Sequence, residues 1–310
     1  MSRKFLRSIA LIGAAGVVLT GCAGGGDPLA GDATEGDSAD TSAIIIGSAN
    51  FPESELLGEM YAQALEAADV EVERSFGIGA RELYLAALED GSIDMLPEYN
   101  GALLAALVDG GAPEGVTTPE EVYDALVEVM PEGIVALPQA EAEDKDTLSV
   151  LPATAEEFGL ETIDDLAPVA GELTLAAGPE FAERYQGLVG LEELYGVTFQ
   201  EFTPLDAGGP LTLDALLTEQ VDVANLFSTD SAIEVNDLVA LEDTQNLFLA
   251  QNIVPIIRES KVTDEVTAAL NSVSEVLTTE NLTEYLAMVQ VDRMSSADVA
   301  EAFLTKYELN

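Results

Sequence analysis

Two periods alternate along this chain. Ala43-Ile44-Ile45-Ile46-Gly47 is an unbroken, β-branched apolar run, as expected of a strand buried on both faces. From Ser54 to Ala68 the spacing turns helical, with Leu56, Leu57, Met60, Ala64, Leu65 and Ala68 on one face. Val70 to Glu73 alternates apolar and polar residues and reads as a strand; Ala80 to Glu89 is again helical, and Ile93 to Leu96 is again a strand. This β-α-β-α-β order predicts a parallel sheet with helices on both faces.

A second unit follows with the same grammar. Strands are predicted over Leu173–Ala177, Val197–Phe202 and Val221–Ala224, with short helices over Glu180–Tyr185 and Gly190–Tyr195 and a helix over Leu213–Glu219. The stretches Ala87–Met95 and Ala215–Val223 match in pattern: a helix end, a tight turn, then a strand with Asp at its second position. Two such corners also arise by coincidence, but two sheets of like topology suit the length better. Three amphipathic helices close the chain, over Thr263–Leu277, Thr279–Val289 and Ser295–Tyr307. The polar stretches Asp144–Thr147 and Gln251–Asn252 are candidate crossings. The expected division is one lobe from 44–147 and 251–310 and a second from 148–250.

Charge narrows the chemistry. The 310 residues hold 58 acidic and 11 basic side chains, a formal charge of −47. Such a field repels phosphate backbones, so no nucleic-acid partner is expected. The acidity serves solvation, or it draws in a cationic solute. There is no His and a single Cys, which removes His-based triads, His-ligated zinc and internal disulfides. No cofactor and no metal are expected, and no enzyme activity: carboxylates are plentiful, but nothing sets a pair of them beside a recognisable nucleophile.

The start of the chain reads as an address. Arg3, Lys4 and Arg7 precede the short apolar stretch Ile9–Leu19, and Leu19-Thr20-Gly21-Cys22 is similar to a bacterial lipobox. Residues 1–22 are expected to be a signal peptide, with Cys22 carrying the lipid. Residues 23–43, rich in Gly, Asp, Ala and Ser, are expected to be a flexible tether. No later stretch has the roughly 18 apolar residues of a membrane helix, so the lipid is the only membrane attachment expected.

In open α/β sheets, ligands gather outside the carboxyl ends of the strands. Here those tips are Ser48-Ala49-Asn50, Pro97-Glu98-Tyr99, Gly178-Pro179-Glu180 and Asn225-Leu226-Phe227. The segments Ile46–Ser54, Gly91–Gly101, Gly178–Phe181 and Val221–Asp230, in this order, resemble the substrate-binding proteins of osmoprotectant (glycine betaine/choline/carnitine) ABC importers. The resemblance spans nearly all of 44–310. It implies a two-lobed α/β fold of the periplasmic-binding-protein type (type II), closing on a small zwitterion or cation that is handed to permease subunits; the receptor is expected to be a monomer. A surface lipoprotein of the same fold with a sensing or adhesive role is the alternative.

In that family tyrosines cage a quaternary ammonium through cation–π attraction, and Lys, Arg and Thr grip the solute carboxylate. Carried over by position, the resemblance assigns Tyr99, Glu180, Arg184, Asp146 and Phe227 to the site. It also puts Leu148 and Gln251 where cage tyrosines usually stand, and Ala49 and Ala102 where Lys and Thr usually stand. The pocket is therefore altered, and amides such as Asn50, Asn225 and Gln251 are candidates to replace the missing contacts. From the residues alone, Arg184 equally suits an ion pair with a surface carboxylate, Tyr99 and Phe227 equally suit core packing, Asp146 equally suits a solvated linker charge, and Arg81 and Glu82 read as surface residues at a helix start.

Overall fold

The computed structural model describes residues 43–310 other than 112 and 114. The expectations for the signal peptide, Cys22 and the tether lie outside the described residues, apart from residue 43.

Strands β1 (Ile44–Gly47), β2 (Val72–Ser75), β3 (Met95–Tyr99) and β4 (Ile134–Ala136) share the first sheet with the late strand β10 (Ile253–Arg258), in the order β2-β1-β3-β10-β4. Strands β5 (Asp146–Val150), β6 (Thr174–Ala177), β7 (Glu201–Pro204), β8 (Val223–Phe227) and β9 (Val239–Ala240) form the second, in the order β7-β6-β8-β5-β9. The parallel expectation holds for β1 with β2 and β3, and for β6 with β7 and β8. It fails for one strand in each sheet. β10 runs antiparallel to β3 and β4, and β5 antiparallel to β8 and β9. Both enter their sheets directly from a crossing, with no βα unit to reverse them.

Each sheet is covered on both faces, and strand alternation explains how. Ile44, Ile46, Met95, Ile253 and Ile257 join one core with helices α1 (Pro52–Ala67), α8 (Asp264–Val276), α9 (Thr279–Gln290) and α10 (Ser296–Tyr307). Their neighbours Ile45, Leu96, Val254 and Ile256 join the opposite core, under α2 (Arg81–Asp90), α3 (Asn100–Leu107) and α4 (Pro119–Val129). The second sheet repeats the scheme. Leu148, Val150, Leu175 and Val223 face one way, and Ala176, Ala224 and Leu226 face α6 (Pro210–Leu217). Two short helices, α5 (Pro152–Phe158) and α7 (Ser231–Val235), complete the second lobe.

The matched Asp residues do the same job in both sheets. Asp94 Oδ2 accepts from the Ile45 N–H at 3.0 Å, while the Asp94 N–H donates to Ile45 O at 2.7 Å. Asp222 Oδ2 accepts from the N–H and the hydroxyl of Thr174, both at 2.8 Å, while its own N–H donates to Thr174 O at 3.1 Å. Each carboxylate thus extends its sheet's central parallel ladder by one rung just before β3 and β8 begin.

Two antiparallel segments join the sheets. Glu143 bridges Asn252, and the Asp144 N–H donates to Gln251 O at 3.1 Å. Asp146 and Thr147 already pair with Phe227 and Leu226, so they belong to the second sheet. A further inter-lobe link joins α1 to the end of β8: Thr229 Oγ1 donates to Glu53 Oε2 at 2.5 Å.

Candidate functional site

The strand tips of both sheets converge on one cavity of about 420 Å³. Asn50, Tyr99, Asp146, Glu180, Arg184, Phe227 and Gln251, which sequence reasoning brought together, all line it, as do Ala49, Ala102 and Asn225. Leu148 does not: it is fully buried in the second lobe's core, because the alternation of β5 points it away from the cleft.

Three aromatic rings meet here. Phe51 follows β1 and caps the N-terminus of α1; its centroid lies 5.2 Å from Phe227 of the other lobe and 6.2 Å from Tyr99. Phe51 was missing from the sequence prediction, although it stands one residue past a strand tip that the prediction had singled out. Gly208, with φ +58, lets the chain pass under Phe227; a Cβ there would sit 2.5 Å from the ring.

Beside the rings lies Asp146. Its oxygens accept from Asn225 Nδ2 at 3.0 Å and Gln251 Nε2 at 3.4 Å. Burial raises its pKa against the opposing pull of these amides and of Arg184 and Arg81. Among the described residues it has no ion-pair partner within 4.0 Å.

Arg81 overturns the surface reading. It is 8% exposed and forms a two-point pair with the fully buried Glu98, at 2.6 and 3.0 Å. Burial, the largest single influence, would lower its pKa, but the charge and hydrogen bonds of Glu98, with the nearby Tyr84 and Asp146, together outweigh it and hold the guanidinium ionised. The Tyr84 hydroxyl and the Tyr99 N–H also donate to Glu98, at 2.6 and 2.7 Å. The pair anchors the start of α2 to the tip of β3 and so shapes the cleft floor. Sequence reasoning missed it because nothing in the local pattern shows that a glutamate inside a strand faces the neighbouring helix.

Arg184 does pair with a carboxylate, and that carboxylate belongs to the opposite lobe. Its Nε and one terminal nitrogen donate to Glu82 Oε1 and Oε2 at 3.1 and 3.0 Å. Glu82, read as a surface residue, is exposed but lines the cavity mouth.

Behind the rings, Glu53 and Asp144 hydrogen-bond each other and are both buried. The Tyr99 hydroxyl donates to Glu53 at 2.7 Å, and the Thr229 N–H to Asp144 at 3.1 Å. Burial pushes up both carboxyl pKa values, that of Asp144 most strongly, because the charge of Glu53 adds to its desolvation. Burial thus favours the protonated form of this pair, where the lobes join. Last, Gln186 belongs to the cavity lining at 7% exposure, and its buried Nε2 has no hydrogen-bond partner among the described residues. A buried donor left open in this way is costly unless something fills it.

Comparisons with known proteins agree with this architecture. Residues 42–306 match the family model described as the substrate-binding domain of an ABC-type glycine betaine transport system. A glycine-betaine-binding protein of Pseudomonas aeruginosa is 27% identical over 284 residues, covering 87% of this chain and 90% of its own. The glycine betaine-binding protein YehZ of Escherichia coli is 26% identical over 277 residues, covering 85% and 90%. The crystal structure described as a glycine betaine/carnitine/choline ABC transporter superposes with a TM-score of 0.66 at 24% identity, over 86% of this chain and 99% of that one; it shows the same fold. From its two like sheets, the cavity between their tips and this family match, the chain belongs to the substrate-binding domains of ABC-type glycine betaine transport systems.

Proposed function

We propose that this chain is the extracytoplasmic receptor of an ABC importer and that it closes on one small organic cation or zwitterion. The observation that carries the reading is the meeting of Phe51, Tyr99 and Phe227, drawn from both lobes, at a cavity that also exposes Asp146. Aromatic faces and a carboxylate attract an ammonium group by complementary electrostatics, each cation–π contact contributing about 0.5–2 kcal/mol. Because the rings come from both lobes, a solute held between them favours closure by its differential affinity for the closed form. The named relatives bind glycine betaine, which supports this class of solute.

The seven residues Asn50, Tyr99, Asp146, Glu180, Arg184, Phe227 and Gln251, together with Phe51, are the proposed solute contacts. Cys22 is the proposed lipid attachment, with residues 23–43 as tether and the globular part acting as a monomer beside permease subunits. No helix among the described residues is long and apolar enough to cross a membrane.

Thermal-shift screening with quaternary ammonium and amino-acid solutes tests the reading. At a hundredfold excess over Kd, one solute adds about 2.7 kcal/mol, or roughly 5–10 °C for a domain of this size. Indifference to the whole panel would contradict it.

A further inference from the structure

The chain has no His, so between about pH 6 and 8 none of its side chains with ordinary pKa values, the single Cys apart, changes charge. A pH response in that range falls to groups that the fold has moved. Among the described residues, burial raises four carboxyls: Glu53, Asp144, Asp146 and Asp230. Two of them meet where the lobes join. Glu53 opens α1 in the first lobe, and Asp144 lies on a crossing. Thr229, just past β8 in the second lobe, holds both: its hydroxyl donates to Glu53 Oε2 at 2.5 Å and its N–H to Asp144 Oδ1 at 3.1 Å.

This bonding pattern needs a proton. Glu53 is bonded by Thr229, the Tyr99 hydroxyl and Asp144, while Asp144 also accepts from the Ser228 hydroxyl. An ionised carboxylate only accepts, so the bond between Asp144 and Glu53 lasts only while one of them is protonated. Tyr99 and Thr229 favour the ionised form of Glu53, which puts the proton on Asp144. Once it leaves, two like charges face each other out of water. The surrounding groups do not offset them. Tyr99 and, behind it, Glu98 face the pair from β3, and Asp230 faces it from the turn after β8. Arg81 is taken by Glu98, and Lys145 on the crossing by Glu143 at 2.6 Å. No ion pair among the described residues reaches Glu53 or Asp144.

We propose that Glu53, Asp144 and Thr229 form a proton-dependent clasp across the lobe junction: protonated, it ties α1 to the end of β8, and on losing one proton to solvent it lets go, so that rising pH shifts the lobes toward an open arrangement. Only an O–H bond breaks, and the effect is a shift between two existing arrangements. The inference concerns the hinge alone and does not depend on which solute the cleft holds.

A distance measured between the lobes tests it. Combining Cys22→Ala with Leu83→Cys and Leu211→Cys puts one spin label on an exposed site of each lobe and leaves no other thiol. Double electron–electron resonance on this full-length parent, without solute and at constant ionic strength from about pH 5 to 8.5, should show a short distance giving way to a longer one in a single titration. Asp144→Asn, whose amide still donates to Glu53, should hold the short distance throughout. Glu53→Gln, which removes the opposing charge, should flatten the curve as well. A merely structural role would move the distance equally at every pH. A parent distance that ignores pH, or a shift that survives both variants, overturns the inference. So does a shift that Asp146→Asn or Asp230→Asn abolishes while Asp144→Asn spares it. The receptor reading stands in each of these cases.

Discussion

Replacing Asp144 by Asn should make the protein more stable as the pH rises. The amide is nearly isosteric: its oxygen can still accept from the Thr229 N–H and the Ser228 hydroxyl, now at 3.1 and 3.2 Å, and its NH2 can donate to Glu53. What disappears is a titrating group whose folded pKa is raised by burial and by Glu53. For such a group the folded state binds more protons than the unfolded one between the unfolded pKa, near about 3.9, and the raised folded value. Stability is therefore fully present below that window and is lost as pH climbs through it. The loss is at most about 1.4 kcal/mol per pH unit for one proton. Against a typical total of about 5–15 kcal/mol, that is a visible fraction. The general self-repulsion of so acidic a chain acts on both proteins and cancels in their difference. Urea unfolding at constant ionic strength, at half-unit steps from pH 4.5 to 8, should show the two stabilities diverging in favour of Asp144→Asn and then running parallel. Curves parallel throughout would refute the raised pKa of Asp144.

Three further outcomes follow from the same geometry. Phe227→Ala should weaken solute binding by about 2- to 30-fold in calorimetry, the range of one cation–π contact, with little change in far-ultraviolet dichroism. Gly208→Ala places a Cβ against the Phe227 ring at a positive φ; it should cost about 1–3 kcal/mol in unfolding and weaken the same binding. Cys22→Ala, expressed in a bacterial host, should move the protein from the membrane to the soluble fraction.

The sheet framework was legible because its signal is local. Ile44 to Ile46 must be buried on both faces wherever they sit, and the αβ corners around Asp94 and Asp222 carry matching patterns because they perform the same hydrogen bonding. Placement at strand tips then brought Asn50, Tyr99, Glu180 and Phe227 into view, and the family resemblance added Asp146, Arg184 and Gln251. The antiparallel insertions β5 and β10 were not legible as such, since strand direction is decided by which sheet the chain enters after a crossing. The charge network was hidden for a related reason. Whether Arg81 meets Glu98, or Arg184 meets Glu82, depends on tertiary approach across 17 and 102 positions of sequence, which no spacing rule encodes. Leu148 shows the same limit in reverse: a single step of strand alternation turns a nominal cage position into core.

The central claim is that a small cation sits between the lobes against rings contributed by both. A crystal structure of the chain grown with saturating choline tests this most directly. The account predicts the ammonium among Phe51, Tyr99 and Phe227, within reach of Asp146, at one site per chain. Choline bound on the outer face of a single lobe, or a cavity left without it, would contradict the account.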